Sequence, residues 1–516
     1  MKKFQLPQLS LKRRRILRNT AENYAYLYYG LFFVCALLFV IFGMITQGDS
    51  VRYSFFYAAT SGYAESTDMF MDFFNSVRDA SHNGGYEKSV IYPPLANLLY
   101  FGIGKMFKAD LVDDKFKDRF NLRNTDPIAL MVYFVSVMLC VFAVYLIIDR
   151  YLLRSKFKAA PAALAITSAL SFPMLTAIQR GNIIILAIPL TMFFVFFRNH
   201  ERKLVRELSY ISLAIAAGLK IYPAVFGILL LTDKKYKEAV RLIIYGIIAF
   251  VVPIFAFGGP ELLWQLVTNI FKFNSNRSGV VRAYRTGYSY QELLMLFAPK
   301  GIANTCGKVV FWCLELMAAL MVFLLPKDWQ KLTALCYMVF NIRSLSSIYA
   351  LTFFLVPFVM FLTDKRRFKW NDYLYLLCLA LMFIPLPCIW FGFTGSMAEH
   401  SGLLAGLAGK KLLRTQWAVI AHYAGVNKLV SVFAFQGVFL LLVLDVLLTP
   451  SSESGKKGFR LSRLLKFKKT AKPVEPSEEA SDKMVDLSDS SAVSEVNTEI
   501  TATEEATVSA VSEETV

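Results

Sequence analysis

The sequence predicts an all-α polytopic membrane protein, a bundle of about 12 transmembrane segments with helical outer loops. Three observations predict it. Of 516 residues, 56% are hydrophobic and 15% aromatic, and only 18% are charged, whereas a soluble chain carries about 25% charged residues. The apolar residues gather in runs of about 20, the length that crosses a hydrocarbon core. Much of the basic excess behind the formal charge of +18 lies beside the first and last of these runs. Disordered, collagenous, coiled-coil and disulfide-rich secreted classes are excluded on this arithmetic, and a soluble enzyme with them.

Residues 1–26 form a basic N-terminus, in which Lys2, Lys3, Lys12, Arg13, Arg14, Arg15 and Arg18 precede the first apolar run. Basic segments that flank spans set topology and hold to anionic lipid at the inner leaflet, so both termini are expected in the cytoplasm of a multi-pass cell-membrane protein. Membrane lipids rather than nucleic acid are their expected partner. The first run, 27–46, ends in FGMITQGDS without a small-x-small cleavage site and reads as a retained span. Further spans are expected at 128–149, 159–178, 181–198, 239–258, 307–325, 370–391 and 429–448. Residues 207–232, with Gly218, Lys220 and Pro223 in the middle, and residues 329–363, interrupted at 341–347, each read as a broken hairpin of two short or tilted helices.

Alternation from an inner N-terminus returns the basic loops 150–158, 198–207, 233–241 and 364–369 to the cytoplasm. A membrane domain over 27–448 then carries a first outer loop at 47–127 and a second at 259–306. Residues 449–516 form a cytoplasmic tail that is first basic and then acidic. From Pro473 onward it has no aromatic residue and twelve acids against one Lys, and is expected to be disordered. Cys35, Cys140, Cys313, Cys336, Cys378 and Cys388 lie inside apolar runs and Cys306 at the edge of one. No Cys/His ligand spacing or clustered Asp-x-Asp motif is present, so no metal and no cofactor is expected.

Candidate chemistry falls on the outer side. In the first outer loop, Asp68 and Asp72 stand four residues apart in DMFMDFF, which on a helix puts them on one face. An acid in an interfacial apolar segment is suited to take a proton from a bound hydroxyl, and two solvated carboxylates on an amphipathic helix is the plainer reading. Tyr92 opens a Tyr-Pro-Pro turn that restricts the backbone. Gln179, Arg180, Gly181 and Asn182 make a polar link between two spans. Lys220 and Arg343 each lie at the apex of a broken hairpin, where a cation suits a phosphate near the outer leaflet or reaches lipid headgroups. Arg277, Arg282 and Arg285 stand among tyrosines in the second outer loop, fit to bind an anionic lipid carrier or simply solvated.

Taken in order, several of these segments resemble the GT-C superfamily of membrane glycosyltransferases, and most closely glycosyltransferase family 87, the polyprenol-phosphate-mannose-dependent mannosyltransferase type. They are the outer acid segment DMFMDFFNS, the YPP turn, QRGNIIILAIPL, GLKIYPAVFGILLL, GYSYQELLMLF and RSLSSIYALTFFLVPFVMFL. The resemblance covers roughly residues 27–365. It implies a GT-C-like bundle that moves a hexose, mannose foremost, from a polyprenyl-phosphate-linked donor to a hydroxyl of a glycan or glycolipid acceptor at the extracytoplasmic face. An outer-loop Asp would be the general base. Asp68 precedes Phe73, Phe74, Asn75 and Ser76 at the family's offset, while Asp72 stands where an aromatic residue is usual, so the assignment stays between the two. Lys220, Arg343 and Arg180 would stabilise the departing phosphate, and Tyr92, Asn182, Arg282 and Arg285 would join them in holding substrate. A flippase or transporter for a lipid-linked saccharide is one alternative, and a polysaccharide polymerase acting on polyprenyl-linked oligosaccharides is another.

Overall fold

The computed structural model describes residues 26–35, 37, 70–81, 86, 90–106, 127–149, 159–276, 289–290, 300–342, 348–364, 369–385 and 430–447, all within one compact unit, Met1–Gly458. Every regular element among them is helical. In chain order these are α1 (Tyr26–Cys35), α2 (Met71–Ser81), α3 (Pro94–Gly104), α4 (Pro127–Ile147), α5 (Ala159–Ala169), α6 (Phe172–Arg180), α7 (Ile184–Phe197) and α8 (Lys203–Leu219). There follow α9 (Ile228–Thr232), α10 (Tyr236–Val251), α11 (Glu261–Asn276), α12 (Lys300–Leu324), α13 (Asp328–Asn341), α14 (Leu355–Thr363), α15 (Trp370–Phe383) and α16 (Val430–Leu447). Short 3-10 segments at Tyr222–Gly227, Val252–Ala256 and Ile348–Phe354 join some of them.

Among the described residues, three helices are long and apolar enough to cross a bilayer: Tyr236–Ala256, Thr305–Leu324 and Val430–Leu447. The pair α5–α6, expected as one span, bends by 55° at a break that Ser171 and Pro173 explain, and makes a fourth if counted as one. Pro173 sits in the first turn of α6, where it needs no backbone donor, and its ring bars the helix from running through. Both broken hairpins are broken at the expected places. α8 stops at Lys220, whose backbone is extended, and the 3-10 segment Tyr222–Gly227, with Pro223 in its first turn, leads into the short α9. α13 stops at Asn341, and the chain resumes as the 3-10 segment Ile348–Phe354 before α14.

The core is aromatic. Trp329 meets Phe361 and Tyr375 edge-on at 4.9 and 5.0 Å, Phe358 stacks on Phe383 at 5.0 Å, and Tyr337 stacks on both Phe435 and Phe439. Lipid matches these side chains in polarity, so close packing and hydrogen bonds between helices have to hold the bundle together. One such bond runs from Ser212 Oγ on α8 to the Leu190 carbonyl on α7 at 2.9 Å.

Polar side chains gather at the two ends of α7, about 21 Å apart at 1.5 Å per residue. At its C-terminal end the buried Arg198 donates to Asp233 at 3.0 Å, to Asp328 at 2.7 Å and to the Val195 carbonyl. Asp445 of α16 accepts from Gln330, Asn371 and Tyr375 at 2.7, 2.9 and 3.0 Å. Alternation along the sequence assigns residues 198, 233, 328, 330, 371 and 445 to one face, and the structure brings them together as two hydrogen-bonded clusters. At the N-terminal end of α7 lies the candidate site.

Candidate active site

The end of α6 builds the site. Gly181 takes φ +69°, and the N–H groups of Asn182 and Gly181 return to the carbonyls of Ala177 and Ile178 at 2.9 and 3.0 Å, a Schellman termination. Glycine is required here on two counts. A Cβ would lie 2.7 Å from Phe73 Cβ and 3.1 Å from Phe70 Cα, besides the strain of the left-handed backbone. That close approach lets α2 dock on the turn. The N–H of Phe70 donates to the Gln179 carbonyl at 2.6 Å, and the Phe70 carbonyl accepts from Phe73 and Phe74 in the first turn of α2.

Phe70 itself is left-handed, with φ 56°, so the helix carrying Asp72 begins at Met71. The described helix does not run back through position 70, and the expected shared face of Asp68 and Asp72 falls on a residue that is not described. Asp68 lies outside the described residues, as do Arg277, Arg282, Arg285 and Arg343.

Asp72 is in the first turn of α2, where the helix dipole favours an acid. Its Oδ1 accepts from Arg180 Nη2 at 2.9 Å and its Oδ2 from Asn182 Nδ2 at 2.7 Å. The Asn182 amide is fixed in orientation, because its Oδ1 accepts from the Ile184 N–H at 3.1 Å and turns Nδ2 toward the acid. The same Nδ2 lies 3.4 Å from the Tyr92 hydroxyl. The Tyr92 ring in turn lies 4.7 Å from Lys220 Nζ, and the rings of Tyr349 and Tyr222 lie 5.4 and 5.6 Å from it. The faces of these three rings attract the ammonium and hold it in place. Burial, with the Asp72 carboxylate nearby, pushes the Tyr92 phenol well above its ordinary range. Tyr92 therefore acts as a neutral hydrogen-bonding group.

A second apolar cluster of Tyr86, Ile254, Phe257 and Leu266 supports the Tyr-Pro-Pro turn. From α11, Asn269 Nδ2 donates to the carbonyls of Tyr86 and Val90 at 2.7 and 3.0 Å, oriented by Gln265. On the other side, Gly218 of α8 packs tightly on Leu95 of α3 and so sets the distance from Lys220 to Tyr92.

Of the residues singled out from sequence, Asp72, Tyr92, Arg180, Asn182 and Lys220 are thus brought together from four separate segments. Tyr222 and Tyr349 are not reached by sequence reasoning. The signal for them is an Ile-Tyr pair directly after each hairpin break, in GLKIYP and in RSLSSIY.

The family model of glycosyltransferase family 87 matches residues 91–346. Over these residues the chain is similar to glycosyltransferase family 87. No curated protein and no solved structure matches it. The matched region holds Tyr92, Arg180, Asn182, Lys220, Arg282, Arg285 and Arg343, while Asp68 and Asp72 precede it. With this match and its apolar helices, the protein is a membrane glycosyltransferase, acting on a sugar donor and an acceptor.

Proposed function

We propose that this glycosyltransferase moves a hexose, mannose foremost, from a polyprenyl-phosphate-linked donor to an acceptor hydroxyl at the extracytoplasmic face. The observation that carries the reading is the meeting of an outer-loop acid, Asp72, with Arg180, Asn182, Tyr92 and Lys220 at one end of the bundle. Both oxygens of Asp72 are engaged in holding Arg180 and Asn182. The proton-accepting role is therefore assigned to Asp68, and Asp72 positions Arg180. The acceptor oxygen attacks the anomeric carbon as its proton passes to Asp68. The bond from that carbon to the phosphate oxygen breaks, and polyprenyl phosphate leaves with the electron pair. Lys220 and Arg180, with Arg343, stabilise the charge that develops on the leaving phosphate. One displacement inverts the anomeric centre.

Support for a lipid-linked donor comes from the apolar side chains of α4, α6 and α7 beside the polar turn, among them Cys140, Val144, Met174, Ile185 and Ile188, whose chemistry suits a lipid tail. The twelve-segment topology, with the acid outside and both termini inside, is part of the proposal. The grouping of polar residues at the two ends of α7 supports it.

Purified protein incubated with polyprenyl-phosphate-mannose, polyprenyl-phosphate-glucose and a polyprenyl-pyrophosphate oligosaccharide tests the reading. Release of polyprenyl phosphate with hexose transfer from a monophosphate donor is expected. Turnover of the pyrophosphate donor alone would transfer the protein to the polymerase class, and lipid movement across the bilayer without bond cleavage to the flippase class.

A further inference from the structure

Gln179 is a buried carboxamide that the proposed chemistry leaves unused. It is 1% exposed, and neither its Nε2 nor its Oε1 has a hydrogen-bond partner among the described residues. Its neighbour Asn182 is also 1% exposed and makes the contrast, since both its oxygen and its nitrogen are engaged. A buried amide with no partner is costly, so a side chain of this kind is retained where something else satisfies it.

Its place in the fold narrows what that is. The Gln179 main-chain carbonyl takes the Phe70 N–H that docks α2, the next residue grips Asp72, and α6 packs against the Ile348–Phe354 segment that brings Tyr349 to Lys220. The turn bearing Gln179 thus joins the acid end of the site to its cation end. A primary amide offers two donors and an acceptor in one plane. Phosphate and carboxylate only accept, and would leave the carbonyl unpaired. Adjacent ring hydroxyls both donate and accept, and they match the amide.

We propose that Gln179 hydrogen-bonds ring hydroxyls of the transferred hexose and determines which hexose is accepted, an inference that rests on the donor reading above. The test compares wild type with Gln179→Met, close in shape and without hydrogen-bonding capacity, and with Gln179→Glu. Relative kcat/KM is measured for polyprenyl-phosphate-mannose, -glucose and their singly deoxygenated analogues. Thermal shifts are measured with methyl hexosides and with polyprenyl phosphate. Wild type is expected to prefer one hexose by at least tenfold and to lose that preference in Gln179→Met, with one deoxy analogue reacting as well as its parent in that variant. An unchanged sugar preference with a raised Tm would overturn the proposal and make Gln179 a buried amide relieved by an apolar substitute. The donor reading fails separately, if polyprenyl phosphate protects neither protein and no monophosphate donor turns over in wild type. The hexoside shift then decides: one present in wild type and absent in Gln179→Met keeps the sugar contact, and equal or absent shifts overturn it.

Discussion

Asp72 has the residue type of a general base and the bonding of a clamp, with Arg180 on one oxygen and Asn182 on the other. Sequence spacing brings out the pair Asp68 and Asp72 but not the difference between them, because the distinction comes from partners 108 and 110 residues away. Asp72→Asn is expected to lower kcat about tenfold, chiefly through a loosened Arg180, and to lower Tm. Removing the charge at Lys220 is expected to be worse. With Lys220→Met, loss of a fixed stabilising group should cut kcat by about 10²- to 10³-fold, while a chain that folds normally keeps the wild-type Tm within a few degrees. Gly181→Ala should destabilise by about 1–2 kcal/mol for the left-handed backbone alone, and more for the contact with Phe73. Its Tm and its activity fall together, and an unaltered Tm would show that α2 does not dock on this turn.

At the scale of elements, the breaks matter more than the spans. Gly218, Lys220 and Pro223 in one hairpin, and the polar stretch 341–347 in the other, are plain in the sequence because such residues interrupt an apolar run. The bend between α5 and α6 is less plain, since Ser171 and Pro173 sit in a run whose composition still averages as one span. Least visible is the role of α11. Its Asn269 is one polar residue among many in a helix of mixed character, yet it holds the carbonyls of Tyr86 and Val90 and through them the Tyr-Pro-Pro turn. Asn269→Leu leaves both carbonyls unpaired, which costs about 1–3 kcal/mol for each group. A several-fold rise in KM for the donor with kcat less affected is expected; an unchanged KM would detach α11 from the site.

Across the whole molecule, the order of basic and apolar segments along the chain sorts residues to two faces, and hydrogen bonds join residues sorted to the same face. Arg198 with Asp233 and Asp328, and Asp445 with Gln330 and Asn371, lie on one; Asp72 with Arg180 and Asn182 on the other. The site itself is less legible, because Arg180, Lys220 and their aromatic partners look like interfacial residues until packing brings them together. Asn199 and Glu261 are both exposed, at opposite ends of this alternation. In right-side-out vesicles, a membrane-impermeant maleimide should label Glu261→Cys above the wild-type background and leave Asn199→Cys unlabelled until the membrane is opened; the reverse pattern would invert the topology. The most direct test of hexose transfer by an outer acid is kcat of purified Asp68→Asn with saturating polyprenyl-phosphate hexose. A folded protein with kcat reduced by at least about a hundredfold is the expected result, and turnover within about threefold of wild type would contradict the assignment.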